Sequence, residues 1–235
     1  MIQTFAALLI AHILADFVLQ TRWMVTHKRR AGVLLLHSAL VLAAAQAVTG
    51  QPAAPGLLAL AAAHLLIDAV KLRLPPGLGA FLWDQAAHLA TLALAAVLMP
   101  DLWASGYWPV LLPDAGAVLS ALLWLAGLVL ATRAGGFAVG MLMAGLADTR
   151  PPEGLPKGGQ VIGLLERGLI FVLMTAGQPE AIGFLIAAKS ILRFGTVTAA
   201  EDRAVSEYVI IGTLASFGWA ILAALATTRL LAALA

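Results

Sequence analysis

The feature that most restricts this chain is a succession of apolar runs, each close to the length of a bilayer crossing, several with His and Asp set inside them. A helix of about 20 apolar residues crosses the roughly 30 Å hydrocarbon layer. Such runs predict spans near 4–21, 32–48, 57–72, 81–99, 116–132, 160–177, 180–195 and 206–228. The expected fold is therefore all-α, a polytopic transmembrane helix bundle of about eight spans. Composition agrees, since 62% of residues are hydrophobic and 11% charged, whereas a soluble domain carries roughly a quarter charged residues. Eight spans with short loops use up the chain, leaving one integral membrane domain with a first half (1–115) and a second half (116–235).

One stretch does not fit this series. GGFAVGMLMAGLA (135–147) is short for a span and lies between Arg133 and the Pro/Gly-rich loop DTRPPEGLPKGG. It reads as a re-entrant or interfacial segment, and a bent extension of the fifth helix fits as well. Residues 1–11 lack a basic region and run straight into His12 and Asp16, so the first helix is expected to be retained rather than cleaved.

Charge sets the expected orientation. The first loop carries Arg22, Lys28, Arg29 and Arg30, while the second, TGQPAAPG, carries no charge. By the positive-inside rule the first loop is cytoplasmic, along with Lys71, Arg73, Arg133, Arg150 and Lys157, and both termini are periplasmic in a bacterial inner membrane. Trp103, Tyr107 and Trp108 read as an interfacial aromatic belt. The net charge of +2 is spread over short loops without a basic, aromatic-interleaved stripe, so membrane lipids are the expected partners and nucleic acid is not.

AHILADFVLQ (11–20) aligns with AHLLIDAVKL (63–72) at an offset of 52, and His37 aligns with His88 at an offset of 51. Two helical hairpins of one design, related by a pseudo-two-fold along the membrane normal, would give this pattern. Within them His12 and Asp16, His64 and Asp68, and in reverse order Asp84 and His88, stand four residues apart. That spacing puts both side chains on one helix face, as two ligands of a single metal require.

With His37 the set has seven candidate ligands: His12, Asp16, His37, His64, Asp68, Asp84 and His88. An unpaired ionised group within a span costs up to roughly 2.5–3.5 kcal/mol at mid-bilayer. These groups must therefore be paired, neutral, hydrated or metal-bound, and a hydrogen-bonded polar network is the alternative to a metal site. The chain has no cysteine, so thiolate sites are excluded, and imidazole with carboxylate suits a divalent metal, zinc or manganese in first place. Such an ion would make hydroxide available at neutral pH, and two ions would clamp an in-line displacement at phosphorus. Asp16, Asp68 and Asp84 are the candidate catalytic carboxylates. Gln20 and Gln85 lie beside the set as outer-sphere donors.

The second half carries Glu166 and Arg167 in GGQVIGLLERGL, Lys189 and Arg193 in IAAKSILRFG, and Glu207 at the head of the last helix. Ion pairs of Glu166 or Glu207 with Lys189 or Arg193 would tie three helices together. The functional reading of these five residues is a substrate-binding clamp for an anionic head group, with Arg193 snorkelling to the cytoplasmic leaflet and Gly158 and Gly159 offering backbone N–H groups.

At AHILADFVLQ, HLLIDAVK, DQAAH, GGQVIGLLER, AAKSILRF and SEYVIIGTLASF the sequence resembles the bacterial membrane family known as domain of unknown function 3307 (DUF3307), over nearly the whole chain. The resemblance implies a polytopic inner-membrane protein and brings no activity or catalytic residues with it. A looser likeness is to membrane-bound metal-dependent hydrolases, which also place His and Asp on transmembrane helices. The leading expectation is a metal-dependent hydrolase acting on a phosphorylated lipid or similar amphiphile at the cytoplasmic leaflet. A proton-coupled secondary transporter of a metal ion or small anion, and a non-catalytic membrane subunit with a structural polar network, stand beside it.

Overall fold

The computed structural model describes residues 1–146, 155, 157–194 and 202–235, with the backbone alone at 190–194 and 202–204. Among the described residues all regular structure is helical: α1 (Ile2–Leu14), α2 (Arg22–His27), α3 (Ala31–Thr49), α4 (Pro55–Lys71), α5 (Leu78–Leu98), α6 (Trp108–Leu111), α7 (Ala115–Val129), α8 (Gly135–Ala144), α9 (Gly158–Thr175), α10 (Ala181–Phe194) and α11 (Asp202–Leu234), with π turns at Ala15–Leu19 and Leu130–Ala134. Six helices are long and apolar enough to cross a membrane: Ile2–Leu19, Ala31–Thr49, Leu78–Leu98, Ala115–Ala144, Gly158–Thr175 and Val205–Leu234. The other two expected spans fall on α4 and α10, of 17 and 14 residues. At about 1.5 Å per residue, α4 rises about 26 Å, a little less than the hydrocarbon layer.

Of the two readings of 135–147, the extension of the fifth helix holds over the described part, and the re-entrant one does not. Ala115–Ala144 is one continuous 30-residue helix, because the chain passes Arg133 through a π turn, which absorbs an extra residue without breaking the helix. Ala147 lies outside the described residues, as does Arg150.

The chain divides into two compact units, Met1–Ala126 with Leu230–Ala235, and Gly127–Arg229. In the first, α1 packs on α3 and α5, and α4 packs on the same two, which closes a ring of four helices. The ring places α1 opposite α4 and α3 opposite α5, the arrangement the hairpin repeat predicts. Local sequence makes its corners. Thr21 caps α2 by accepting from Met24 N at 3.2 Å. Gly50, at φ 67°, ends α3, and Gln51 N then reaches Gln46 O at 3.1 Å. Pro55 opens α4 at a position where no N–H is needed.

The ring is inverted relative to a soluble bundle. Leu35, Leu58, Leu66, Leu94 and Leu98 are more than half exposed on the outside, while His and Asp fill the centre. That pattern suits a hydrocarbon solvent. At one end Thr4 Oγ1 donates to Pro100 O at 2.8 Å and accepts from Trp103 N at 3.2 Å. Of the three aromatics read as a belt, Trp103 is buried, at 4% exposed, while Tyr107 is exposed and Trp108 donates to Ala47 O at 2.7 Å.

In the second unit α9 packs against α8, α10 and the π turn Leu130–Ala134. Ile170, Ile182, Phe217 and Ala220 form its apolar core.

Candidate metal centre

Each helix of the ring contributes to one cluster. The α1 helix brings His12, and the π turn that continues it brings Asp16; α3 brings His37, α4 brings His64 and Asp68, and α5 brings Asp84 and His88. All seven expected residues meet in the middle of the ring. Six are at most 4% exposed, and the Asp16 side chain is 8% exposed. They lie toward the end that carries the Gln20–Arg30 connection and the Leu72–Gly77 turn. The i, i+4 pairs set each carboxylate about one turn from its imidazole.

Four donor atoms form a tight group. His37 Nε2 lies 3.2 Å from His64 Nε2 and 3.2 Å from Asp16 Oδ1. Asp68 Oδ2 lies 3.6 Å from His37 Nε2 and 3.5 Å from His64 Nε2, which is itself 3.5 Å from Asp16 Oδ1. A tetrahedron around an ion with ligands at 2.0–2.1 Å has edges of about 3.3–3.4 Å. These five of the six edges bracket that value, and Asp16, His37 and His64 together offer three donor atoms within 4.8 Å of one another.

The π turn matters here. Simple helical spacing pairs Asp16 with His12, yet His12 Nδ1 and Asp16 Oδ2 stand 3.9 Å apart. Asp16 instead turns its other oxygen across to α3 and α4.

Two lysines hold the outer oxygens of the carboxylates. Lys28 Nζ donates to Asp68 Oδ1 at 2.8 Å, and Lys71 Nζ donates to Asp84 Oδ2 at 2.6 Å. In both carboxylates the inner oxygen is thereby left facing imidazole. Gln85 Nε2 adds a bond to Asp84 Oδ2 at 3.0 Å, and its carbonyl lies 3.3 Å from His12 Nε2.

The sequence reading assigned both lysines to loop topology and missed this role. Lys71 stands one turn from Asp68 on the same helix, which was a usable signal, although it reaches Asp84 instead. Lys28 gave none, because its partner lies 40 positions along the chain.

Among the described residues, the buried side-chain atoms without a hydrogen-bond partner are His12 Nδ1, Asp16 Oδ1, Gln20 Nε2, His37 Nδ1, Asp68 Oδ2, Asp84 Oδ1 and His88 Nε2. Every one belongs to this cluster or borders it in sequence. A cavity of about 10 Å³ opens beside His12, His64, His88 and Thr91, with Leu8, Val41, Leu60 and Leu92 closing its far wall. That is the lower limit for one water.

The five residues expected to bind substrate belong to the second unit. There Lys189 and Glu166 form an ion pair with Nζ 2.8 Å from each carboxylate oxygen. Arg167, 4% exposed, donates from Nε to Thr132 O at 3.1 Å and from Nη1 to Ser216 Oγ at 3.0 Å. A Cβ on Gly135, Gly136 or Gly163 would stand about 3 Å from this side chain, so the three glycines form its bed. Glu207 lies near the start of α11. The Arg193 side chain lies outside the described residues.

The family model described as "Protein of unknown function (DUF3307)" matches residues 4–108. Over those residues the chain is similar to this family. The match takes in the whole helix ring and all seven cluster residues, as well as Lys28 and Lys71. It stops short of GGQVIGLLER, AAKSILRF and SEYVIIGTLASF, so the family extends over less of the chain than the sequence resemblance implied. No curated protein and no solved structure matches the chain.

Proposed function

We propose that the helix ring is a divalent-metal centre, with zinc or manganese as its ion, and that it hydrolyses a phosphorylated lipid or similar amphiphile at the cytoplasmic leaflet. One observation carries the reading: of the seven buried atoms without partners, six belong to the cluster and the seventh, Gln20 Nε2, lies four residues from Asp16. An unsatisfied buried polar atom costs about 1–3 kcal/mol, so seven would cost about 7–20 kcal/mol, comparable with an entire fold stability of about 5–15 kcal/mol. A cation coordinated by Asp16 Oδ1, His37 Nε2, His64 Nε2 and Asp68 Oδ2 satisfies four donor atoms at once, two of which, Asp16 Oδ1 and Asp68 Oδ2, have no hydrogen-bond partner. An all-protein network would instead need aligned donors for three inward carboxylate oxygens.

The chemistry an ion would supply is acidification of a bound water to a pKa of about 7. Lys28 and Lys71 would help to neutralise a phosphate near the carboxylates they already hold, a part the sequence reading gave to Lys189 and Arg193. By the positive-inside rule both lysines face the cytoplasm. The small cavity behind the imidazoles has an apolar far wall, which favours access from one side and so a hydrolase over a transporter.

The test is metal content and turnover of the detergent-purified chain. Wild type should hold stoichiometric zinc or manganese and release phosphate from a lipid phosphomonoester, and the Asp16→Asn/Asp68→Asn double variant should lose both. A wild type that takes up neither metal when it is added would overturn the metal centre. Metal binding without phosphate release, accompanied by metal flux into proteoliposomes, would favour the transporter.

A further inference from the structure

The tetrahedral set leaves part of the cluster unexplained. Asp84 Oδ1 and His88 Nε2 are 3.4 Å apart, each without a hydrogen-bond partner, and both residues are 1% exposed. His12 Nδ1 is a third such atom, on a ring whose centroid lies 5.0 Å from that of His88. An ion among Asp16, His37, His64 and Asp68 uses none of these three.

Two further donor groups supply the geometry. Ring nitrogens of His12, His64 and His88 lie within 4.8 Å of one another, and so do donor atoms of Asp68, Asp84 and His88. His88 belongs to both groups and stacks on His64 at 4.0 Å between ring centroids.

We infer that the centre takes two divalent ions of unlike role, the second held by Asp84 and His88 with His12 beside it. The inference rests on the metal-centre reading above and extends it. The first set fills four positions with protein donors, as closed sites do, whereas an ion with an open position keeps room for water. The second set has that room: His12 and His88 line the cavity of about 10 Å³, beside Thr91. Asp68 belongs to both the tetrahedral set and the Asp84/His88 group, so it is the shared carboxylate of the pair.

Charge separates the two ions further. With Lys28 on Asp68 the first ion keeps about one net positive charge, while Asp84 with Lys71 leaves the second with about two. In a medium of low dielectric that charge calls for an anionic ligand, a hydroxide or a phosphate oxygen. The second ion is therefore the substrate-facing one, and the first fixes the helices that position it.

The repeat accounts for the inequality. At the hairpin offset of 51, His88 corresponds to His37, but Asp84 corresponds to Val33, which is buried and apolar. The second hairpin carries one more carboxylate than the first, and that carboxylate makes the second site.

The deciding experiment counts zinc. The full chain in detergent is stripped with a chelator, reloaded with zinc, freed of excess by gel filtration and analysed by mass spectrometry. Wild type should hold two zinc ions per chain. His88→Ala should hold one, and so should Asp84→Asn/Lys71→Gln, which removes the carboxylate and its lysine together and leaves no uncompensated charge. One zinc in wild type, unchanged in His88→Ala, would overturn the second ion and leave the first reading intact. No zinc in wild type would overturn the metal-centre reading itself. Two in every variant would overturn the assignment to Asp84 and His88. The wild-type count stands even if a variant fails to fold.

Discussion

The two compact units both bury charged groups among apolar helices, and they treat them in opposite ways. In Gly127–Arg229 the polar groups close on one another: Glu166 takes Lys189, and Arg167 finds a carbonyl and a hydroxyl in its bed of glycines. In the helix ring the outer oxygens of Asp68 and Asp84 are held by lysine, while the inner ones face imidazole nitrogens without a hydrogen bond. The number of polar residues within a span therefore separates the units poorly. What separates them is whether each polar atom is satisfied by the protein alone, because an unmet lone pair in a dry bundle demands a ligand or destabilises the fold.

The contrast is easiest to break at His37, which stands at one vertex of the tetrahedral set. His37→Ala should lower zinc affinity by more than about 100-fold, since even partners outside the coordination sphere are worth 10–100-fold. Competition against a chelating dye reads this directly, and unchanged affinity would mean that this four-donor set does not hold the ion.

Lys28 gives the next largest effect. Lys28→Met leaves Asp68 Oδ1 buried without its cation, a loss of about 3–5 kcal/mol for a broken buried pair. The melting temperature should fall, and saturating zinc should recover part of the loss, because an ion on Oδ2 offsets the same charge. A fall that zinc does not touch would separate the lysine from the metal centre.

The smallest effect belongs to the other unit. The Glu166–Lys189 pair has side chains 18% and 25% exposed, so Lys189→Met should cost about 1 kcal/mol or less with zinc content and turnover unchanged. Loss of zinc in that variant would abolish the distinction between the units.

Much of the site was legible before any coordinates. The i, i+4 pairs and the offset of 52 pointed to His12, Asp16, His64 and Asp68, and the near-equal offset of His37 and His88 extended the set, because helical periodicity is local and survives in a one-dimensional string. The same reasoning failed where the backbone departs from the regular helix. The π turn at Ala15–Leu19 re-aims Asp16 away from His12, and the one at Leu130–Ala134 carries the chain through a stretch that read equally as re-entrant and as an extension of the fifth helix. Neither leaves a residue-type signature such as proline. For Glu166, Arg167, Lys189, Arg193 and Glu207 the sequence allowed both ion pairs and an anionic clamp, and the Glu166–Lys189 pair forms. Pairing is a tertiary fact, and Lys189 is already held.

The sequence by itself determined that this chain is an all-helical protein with helices able to cross a membrane, and that His and Asp repeat along its first half, because hydropathy and helical spacing act over one or two turns. Only the tertiary structure decided which atom of each residue faces which neighbour. Whether Lys28 reaches Asp68 across 40 positions, whether Asp84 turns one oxygen to Lys71 and the other to His88, and which lone pairs are left unmet all depend on four helices closing into a ring. Side-chain satisfaction is a property of that ring, and no single helix carries it.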